Sequence, residues 1–449
     1  MATNNFLEDL VFKTVIDFNF FPETKTYKII VALSGGPDSM YLLYVLSNLR
    51  KSFDIKLIPV HINHLLRDSS TEESKELREY VLKQFKLETL IFSSDVKRLA
   101  SKWKRGVEET GRIVRRQILN YVFDKYEADY IALGHNLDDQ VETVLFRMFR
   151  GTGLNGMLGM KPKDNNIIRP LFFIEKSSIL KELNEKKLFY IYDYSNYELK
   201  YSRNLIRHKI IPLAEIINCN AKKHIFEVSM DISQAYEYIN LKWKELLRRN
   251  LLLENEEFLV FKAELLKGDK YIVSEAIKGI FEKFSGSVYG LARKHINCFI
   301  VNASKKGSYS CFLPKKIYVS KSCEIISFWK KKGFFKGFNF ILKKNGTLKL
   351  PNNLGKINVN IEGALESKVY LRSFMEGDRY KNKKLKEVFL EKRVPKDFRK
   401  AIPLVAIENE VLHIFVFDGE ETVIELDNAK IQLSFQPSEL YCKIKNFLV

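Results

Sequence analysis

The chain has 449 residues, 46% of them apolar, and carries a formal net charge of +19. That length exceeds one core of roughly 250–300 residues, so two or three packed domains are expected. Lys and Arg outnumber Asp and Glu by 74 to 55, which points to an anionic partner, nucleic acid ahead of membrane. No run approaches about 18 uninterrupted apolar residues, so no membrane span is read. Glu8 and Asp9 interrupt the apolar N-terminal residues, which argues against a signal peptide. Cys219, Cys298, Cys311, Cys323 and Cys442 form no Cys-x-x-Cys pair. That speaks against structural zinc or an iron–sulfur cluster and suits reduced thiols in a cytosol.

In chain order, residues 1–22 read as a short amphipathic helix. A β-branched strand over 28–33 then ends in Ser34-Gly35-Gly36-Pro37-Asp38-Ser39, and an apolar helix follows over 40–49. Adjacent glycines let the backbone turn with positive φ, and the amides after them face outward at a helix N-terminus, where an anion is best held. The loop is not of the Walker type, since Pro37-Asp38-Ser39 stands where that pattern has Lys-Ser/Thr. A carboxylate beside a triphosphate repels it unless a divalent cation lies between, so Asp38 implies Mg²⁺.

Further strands are expected over 55–60, 89–93 and 130–134, with helices over 69–84, 107–125 and 136–150. The alternation predicts right-handed βαβ units and a parallel sheet, whose ligands sit beyond the strands' carboxyl ends. Polar clusters stand at those ends. His61-Ile62-Asn63-His64 follows the second strand. Arg112 and Arg115 share a helix face, which by itself reads more often as surface ion pairs than as a phosphate contact. Gly134-His135-Asn136-Leu137-Asp138-Asp139-Gln140-Val141-Glu142 puts Asp139 and Glu142 on one face near a helix start, where acids also satisfy the dipole.

Beyond 212, an amphipathic helix is expected over 223–252, two more over 273–284 and 289–298, and then strands. Phe312 and Phe328 bracket two strands with a turn at Val319-Ser320-Lys321-Ser322. Residues 379–400 hold ten basic and three acidic residues with Tyr380, Phe389 and Phe398 interleaved, the mix of cations and flat rings that RNA contacts use. The division expected is 1–212 (catalytic), 213–340 (mainly helical) and 341–449 (β-rich α+β).

With these clusters on view, SGGPDS, HINHLLR, EETGRIVRR, GHNLDDQVETVLFRMFRGTGLNGMLGM and the 193–212 stretch resemble the tRNA(Ile)-lysidine synthetases, within the N-type ATP pyrophosphatases. Residues 377–405 resemble the C-terminal domain of the same family. The resemblance implies an α/β fold: a Rossmann-like parallel sheet with a PP-loop, then a mainly helical domain and a β-rich α+β C-terminal domain. It implies ATP and Mg²⁺, L-lysine, an isoleucine tRNA with a CAU anticodon, a cytoplasmic location and no membrane, with a homodimer left open. Under it, Ser34, Gly35, Gly36, Pro37, Asp38, Ser39, His61, His64, Arg112 and His135 would hold the nucleotide. Asp38, Arg115, Asp139 and Glu142 would carry the chemistry, with Asp38 and Glu142 on the metal. Asp139 would orient the lysine ammonium or accept its proton. Arg203, Arg207, Arg379, Lys383, Lys384, Lys386, Lys392 and Arg393 would face RNA. A thiolase sharing this loop would need a persulfide cysteine or metal cluster, yet no cysteine precedes Cys219. A non-catalytic RNA-binding protein would have no use for the four acidic and basic residues named for chemistry.

Overall fold

The computed structural model describes residues 6–191, 202–426 and 428–448. The chain divides into two compact units, Met1–Tyr236 and Glu237–Val449. Among the described residues, no helix is long and apolar enough to cross a membrane.

The first unit runs α1 (Phe6–Asp17), β1 (Tyr27–Ala32), α2 (Pro37–Leu49), β2 (Ile55–Asn63), α3 (Ser70–Phe85), β3 (Leu90–Ser93), α4 (Val96–Trp103), α5 (Val107–Tyr126), β4 (Tyr130–Ala132), α6 (Leu137–Phe149), α7 (Leu154–Met157), β5 (Lys163–Asp164), β6 (Ile167–Ile168) and α8 (Lys176–Glu185). The sheet order is β3-β2-β1-β4-β6-β5. β1 runs parallel to β2 with Ile29 beside Leu57, and parallel to β4 with Ile29 beside Tyr130. Only β5, hairpinned onto β6, runs antiparallel. The β-branched run of β1 is buried on both faces. Ile29 and Val31 enter a core shared with α1, α2 and α8, while Ile30 joins Ile58, Val60, Leu119, Val122 and Ile131 on the α5 side. A strand covered on both faces cannot alternate with polar residues, which is why it reads as a continuous apolar run.

Chain order moves outward from β1 to β3 and then returns to the other side of β1 at β4. The point of reversal lies between β1 and β4, where an open α/β sheet leaves a crevice at its carboxyl edge. β1, α2 and the helices on either side of β4 stand where the periodicity put them, whereas α4, α7, the β5–β6 hairpin and α8 were not read from it.

After 201 the chain is α-helical over Ser202–Leu205, widens to a π-helix over Ile206–Ile210 and returns to α over Ile211–Ile217. Pro212 has no N–H to close an α-type bond inside this segment, and the wider turn accommodates it. Ile206 and Ile211 pack with Leu137, Val141, Leu145, Phe172 and Phe226, which fixes this segment against α6. The 193–201 part of the quoted motif lies outside the described residues.

The second unit contains a five-stranded antiparallel sheet over Leu251–Trp329, two helices against it, and two further sheets of six and four strands. The division between the two units falls inside the helix Ala221–Asn250, and a single apolar core joins Phe258 and Trp329 to Phe398, Val405 and Ile444 across 340. The turn expected at 319–322 is strand: Tyr318–Ser322 pairs with Ile325–Trp329, and Cys323 with φ 56° turns the chain. Ser320 and Ser322 are buried, and Ser320 hydrogen-bonds Asp397, so the polar run that resembles a turn is an inward-facing hydroxyl ladder. The helix expected over 289–298 begins later, at Arg293.

Candidate active site

β1 delivers the chain into a tight loop whose conformation only glycine accepts. Gly35 has φ +86°, and a Cβ there would meet Ile191 Cδ1 at 2.7 Å. Inside the loop the two serines brace each other. Ser39 Oγ donates to the Gly36 carbonyl (2.9 Å), lies 3.1 Å from Ser34 Oγ and accepts from the Ser34 amide (3.2 Å). Gly36 caps α2 with extended backbone and no side chain over the helix end, leaving the first-turn amides open to an anion.

The 134–142 stretch is laid directly on this loop. A Cβ on Gly134 would stand 3.0 Å from the Asp38 carbonyl, so any side chain there would push the two backbones apart by a few tenths of an ångström. Asn136 Nδ2 donates to Asp38 Oδ1 at 2.9 Å. The same Asn136 caps α6: its Oδ1 accepts from the Asp139 amide (3.1 Å), while its own amide donates to Asp139 Oδ2 (3.2 Å). Asp139 therefore satisfies the helix start and also faces the site, where its Oδ1 accepts from Arg207 Nη2 at 3.4 Å. Glu142 is 3% exposed and is held at both oxygens by Arg207. Lys176 Nζ lies 3.3 Å from Asp38 Oδ2, and its amide donates to Asp138 Oδ2 at 2.8 Å.

Burial raises the pKa of Asp38, Asp139 and Glu142. Lys176 offsets this at Asp38, the Asn136 amide at Asp139, and Arg207 at Glu142. For Arg207, burial works downward, but the bonds to Glu142 and the charge of Asp139 win and raise it. Three carboxylates thus share two protein cations. Their hard oxygen donors suit Mg²⁺, but among the described residues no group of three or more His, Cys, Asp or Glu is disposed to hold a metal by itself.

The opposite side is positive. Arg112 pairs with Glu108, so the surface ion-pair reading holds for that residue. Arg115 has no carboxylate partner among the described residues, and desolvation together with the Arg112 charge lowers its pKa. Desolvation and then the charges of Arg115 and His61 push His64 down to about 4, and its Nδ1 is buried without a hydrogen-bond partner. His61 lies beneath the loop, with Nδ1 2.8 Å from the Leu33 carbonyl and Nε2 3.0 Å from Ser74 Oγ, so it braces the strand end. His135 is lowered to about 3 by burial and then by Arg169, Arg115, Arg203 and Arg112. Arg203 lies over the Phe146 ring, 5.7 Å from its centroid.

The structure thus brings together Ser34–Ser39 and their neighbours from three strand ends. Arg207, named for RNA contact, grips Glu142. Tyr380, Phe389 and Phe398 are not rings on an RNA surface: they are buried in the second unit's core, while Arg379, Lys383, Lys384, Lys386, Lys392 and Arg393 are exposed. Lys383 is partly engaged by Glu391 at 3.2 Å, and Arg379 lies 3.7 Å from Glu410. Sequence reasoning missed Lys176, Asn136 and Arg169. The one available signal for Arg169 is an arginine set inside the apolar stretch Ile167-Ile168-Arg169-Pro170-Leu171.

Residues 11–214 match the PP-loop domain family, and residues 374–430 match the TilS substrate C-terminal domain. The chain is 30% identical to a tRNA(Ile)-lysidine synthase of Caldanaerobacter subterraneus subsp. tengcongensis, over 94% of this chain and 96% of that one. It is 30% identical to one from Clostridium tetani (90% and 93% covered) and 32% identical to one from Thermosipho africanus (88% and 89% covered).

Proposed function

The chain belongs to the tRNA(Ile)-lysidine synthase family, and on that premise we propose that it joins L-lysine to C2 of the wobble cytidine in a CAU-anticodon isoleucine tRNA, cleaving ATP to AMP and pyrophosphate. In the first step the cytidine O2 bonds to the α-phosphorus and pyrophosphate leaves. In the second, the lysine ε-amine bonds to C2, AMP leaves, and the amine's proton passes to a base.

The observation that carries this reading is the contact of Asn136 with Asp38 at 2.9 Å, which sets the acidic start of α6 against the anion-binding loop. The open amides of α2 with Ser34 and Ser39 would take the β- and γ-phosphates. Arg115, without a carboxylate partner among the described residues and close to His64 and His135, would meet the attacked α-phosphate. Mg²⁺ arriving with ATP would be held by Asp38 and Glu142 and would offset charge on the leaving group. Asp139, whose proton affinity burial raises, would orient the lysine ammonium or take its proton. The reacting base must leave its stack to reach this point, and the exposed cations of 379–400 would hold the tRNA body by its backbone. A cytoplasmic location belongs to the same proposal. A sulfur-transferring alternative is disfavoured because no cysteine occurs before Cys219.

The test is incubation of the purified protein with ATP, Mg²⁺, labelled lysine and CAU-anticodon isoleucine tRNA. Label should enter the tRNA only when every component is present. Label entry without ATP, or none with all four, would defeat the reading.

A further inference from the structure

Arg169 is 7% exposed, and none of the described carboxylates lies in ion-pair range of it. Instead its Nη1 donates to the Lys161 carbonyl (2.6 Å) and its Nε donates to His135 Nδ1 (3.2 Å). A buried guanidinium with no acid in ion-pair range is costly, because neutral acceptors repay little of the lost hydration and the Asp164 charge acts only from a distance. The cation is used here on an imidazole at the mouth of the anion site, directly after Gly134.

Resting on the proposed function, we propose that Arg169 is a positioning residue: by donating to Nδ1 it holds His135 as the neutral Nε2–H tautomer, so that His135 offers the bound nucleotide an uncharged hydrogen-bond donor. The chemistry is forced by the ring. A nitrogen that accepts from an N–H carries no proton, so the single proton of neutral imidazole must sit on Nε2. The groups whose charges reach the ring are Arg169 from the strand-end segment, Arg115 and Arg112 from α5, and Arg203 from the segment after 201. All are cations, and each disfavours an imidazolium. A second positive charge at this point is thereby avoided, while the donor needed by a phosphate or ribose oxygen is kept. Arg169 also ties the Lys161 carbonyl, so one side chain sets both the ring and the segment leading into β5.

The experiment is proton–nitrogen NMR of the full-length protein labelled at histidine, without ATP or tRNA, with His135→Gln identifying the signal. Adenylation of tRNA is measured in parallel. Wild type should show His135 as the neutral Nε2–H form at pH 7 and still neutral at pH 5. Arg169→Met, which removes the donor at similar volume, should mix the tautomers or protonate the ring on acidification. Adenylation should then fall roughly 10- to 100-fold, the range lost when a histidine-orienting partner is removed elsewhere. Arg169→Lys should keep the tautomer and most of the rate. An Nδ1–H tautomer or an imidazolium in wild type at pH 7 would overturn the proposal. So would an unchanged His135 signature in Arg169→Met, or a changed signature with undiminished adenylation. If Arg169→Met does not fold, the wild-type tautomer and Arg169→Lys still decide. The signature is read in the resting protein, so a wild type that adenylates no tRNA would count against the proposed reaction and not against this contact.

Discussion

Arg207 grips Glu142 with two nitrogens of its fork, Nε 2.5 Å from Oε1 and Nη2 2.9 Å from Oε2, at a position where Glu142 is almost fully buried. The pair links the π-helical turn after 201 to α6 and keeps an otherwise uncompensated carboxylate charged in the interior. Removing the arginine leaves that charge without its partner. Arg207→Met should cost about 3 kcal/mol, the lower end for a broken buried pair because Arg207 is partly solvated.

The sign of its pH dependence follows from burial, which already raises Glu142, and from the bonds of Arg207, which pull it back. Without them Glu142 rises further. An acid whose folded pKa lies above its unfolded value stabilises the fold at low pH and loses that contribution as pH climbs through the folded pKa. The Arg207→Met penalty should therefore be larger at pH 8 than at pH 5 in urea unfolding. Equal penalties would show that Glu142 does not titrate with the pair.

Asp38→Ala and Arg115→Ala should each reduce tRNA adenylation by about 10²-fold or more, since each removes a charge aimed at the reacting phosphates. Filter binding of tRNA should be nearly unchanged, because neither residue belongs to the exposed basic stretch. Near-wild-type pyrophosphate release by either variant would remove that residue from the chemistry.

Gly134→Ala tests the contact between strand end and loop. The added methyl would lie 3.0 Å from the Asp38 carbonyl and 3.3 Å from the Ser39 amide, both backbone atoms. A shift of the 134–142 stretch by a few tenths of an ångström should lower kcat about 10-fold, less than the roughly 10²-fold that misplacement by about 1 Å costs. Unfolding midpoints should move far less than the rate does.

Neutralising Lys383, Lys384 and Lys386 together should weaken tRNA binding and flatten its salt dependence. Each phosphate contact contributes about one to the slope of log K against log salt. Lys383 is already engaged by Glu391, so the expected loss of slope is about two rather than three. An unchanged slope would place the RNA surface elsewhere.

Phe389→Ala separates core from surface. Phe389 is fully buried beside Phe374 and Phe417, so truncation should cost about 3–5 kcal/mol in unfolding. The tRNA affinity of the folded fraction should hold. A selective loss of affinity without destabilisation would restore the ring to an RNA contact.

His64 should stay neutral down to about pH 4. Its folded pKa is depressed, so the unfolded chain binds the extra proton first and stability falls as pH drops below about 6.5. His64→Gln should flatten that acid limb, read by urea unfolding between pH 7 and pH 5.

What the sequence determined by itself was everything set by short-range geometry. A β-branched run before Ser34-Gly35-Gly36 can only be a strand entering a tight turn, and the spacing of Asp139 and Glu142 places both on one helix face. The same holds for the alternation of strands and helices that implies a parallel sheet with its site at the carboxyl edge. Tertiary structure alone decided which charges meet. Asp38 and Lys176 are separated by 138 residues, and Glu142 and Arg207 by 65, so no periodicity links them. It also decided that Tyr380, Phe389 and Phe398 face inward, because a ring beside cations reads the same whether it stacks on a base or fills a core. Burial is a property of the whole packed chain, and it is burial that turns Arg169, Arg207 and Lys176 from three of 74 basic residues into the partners that set the protonation of the site.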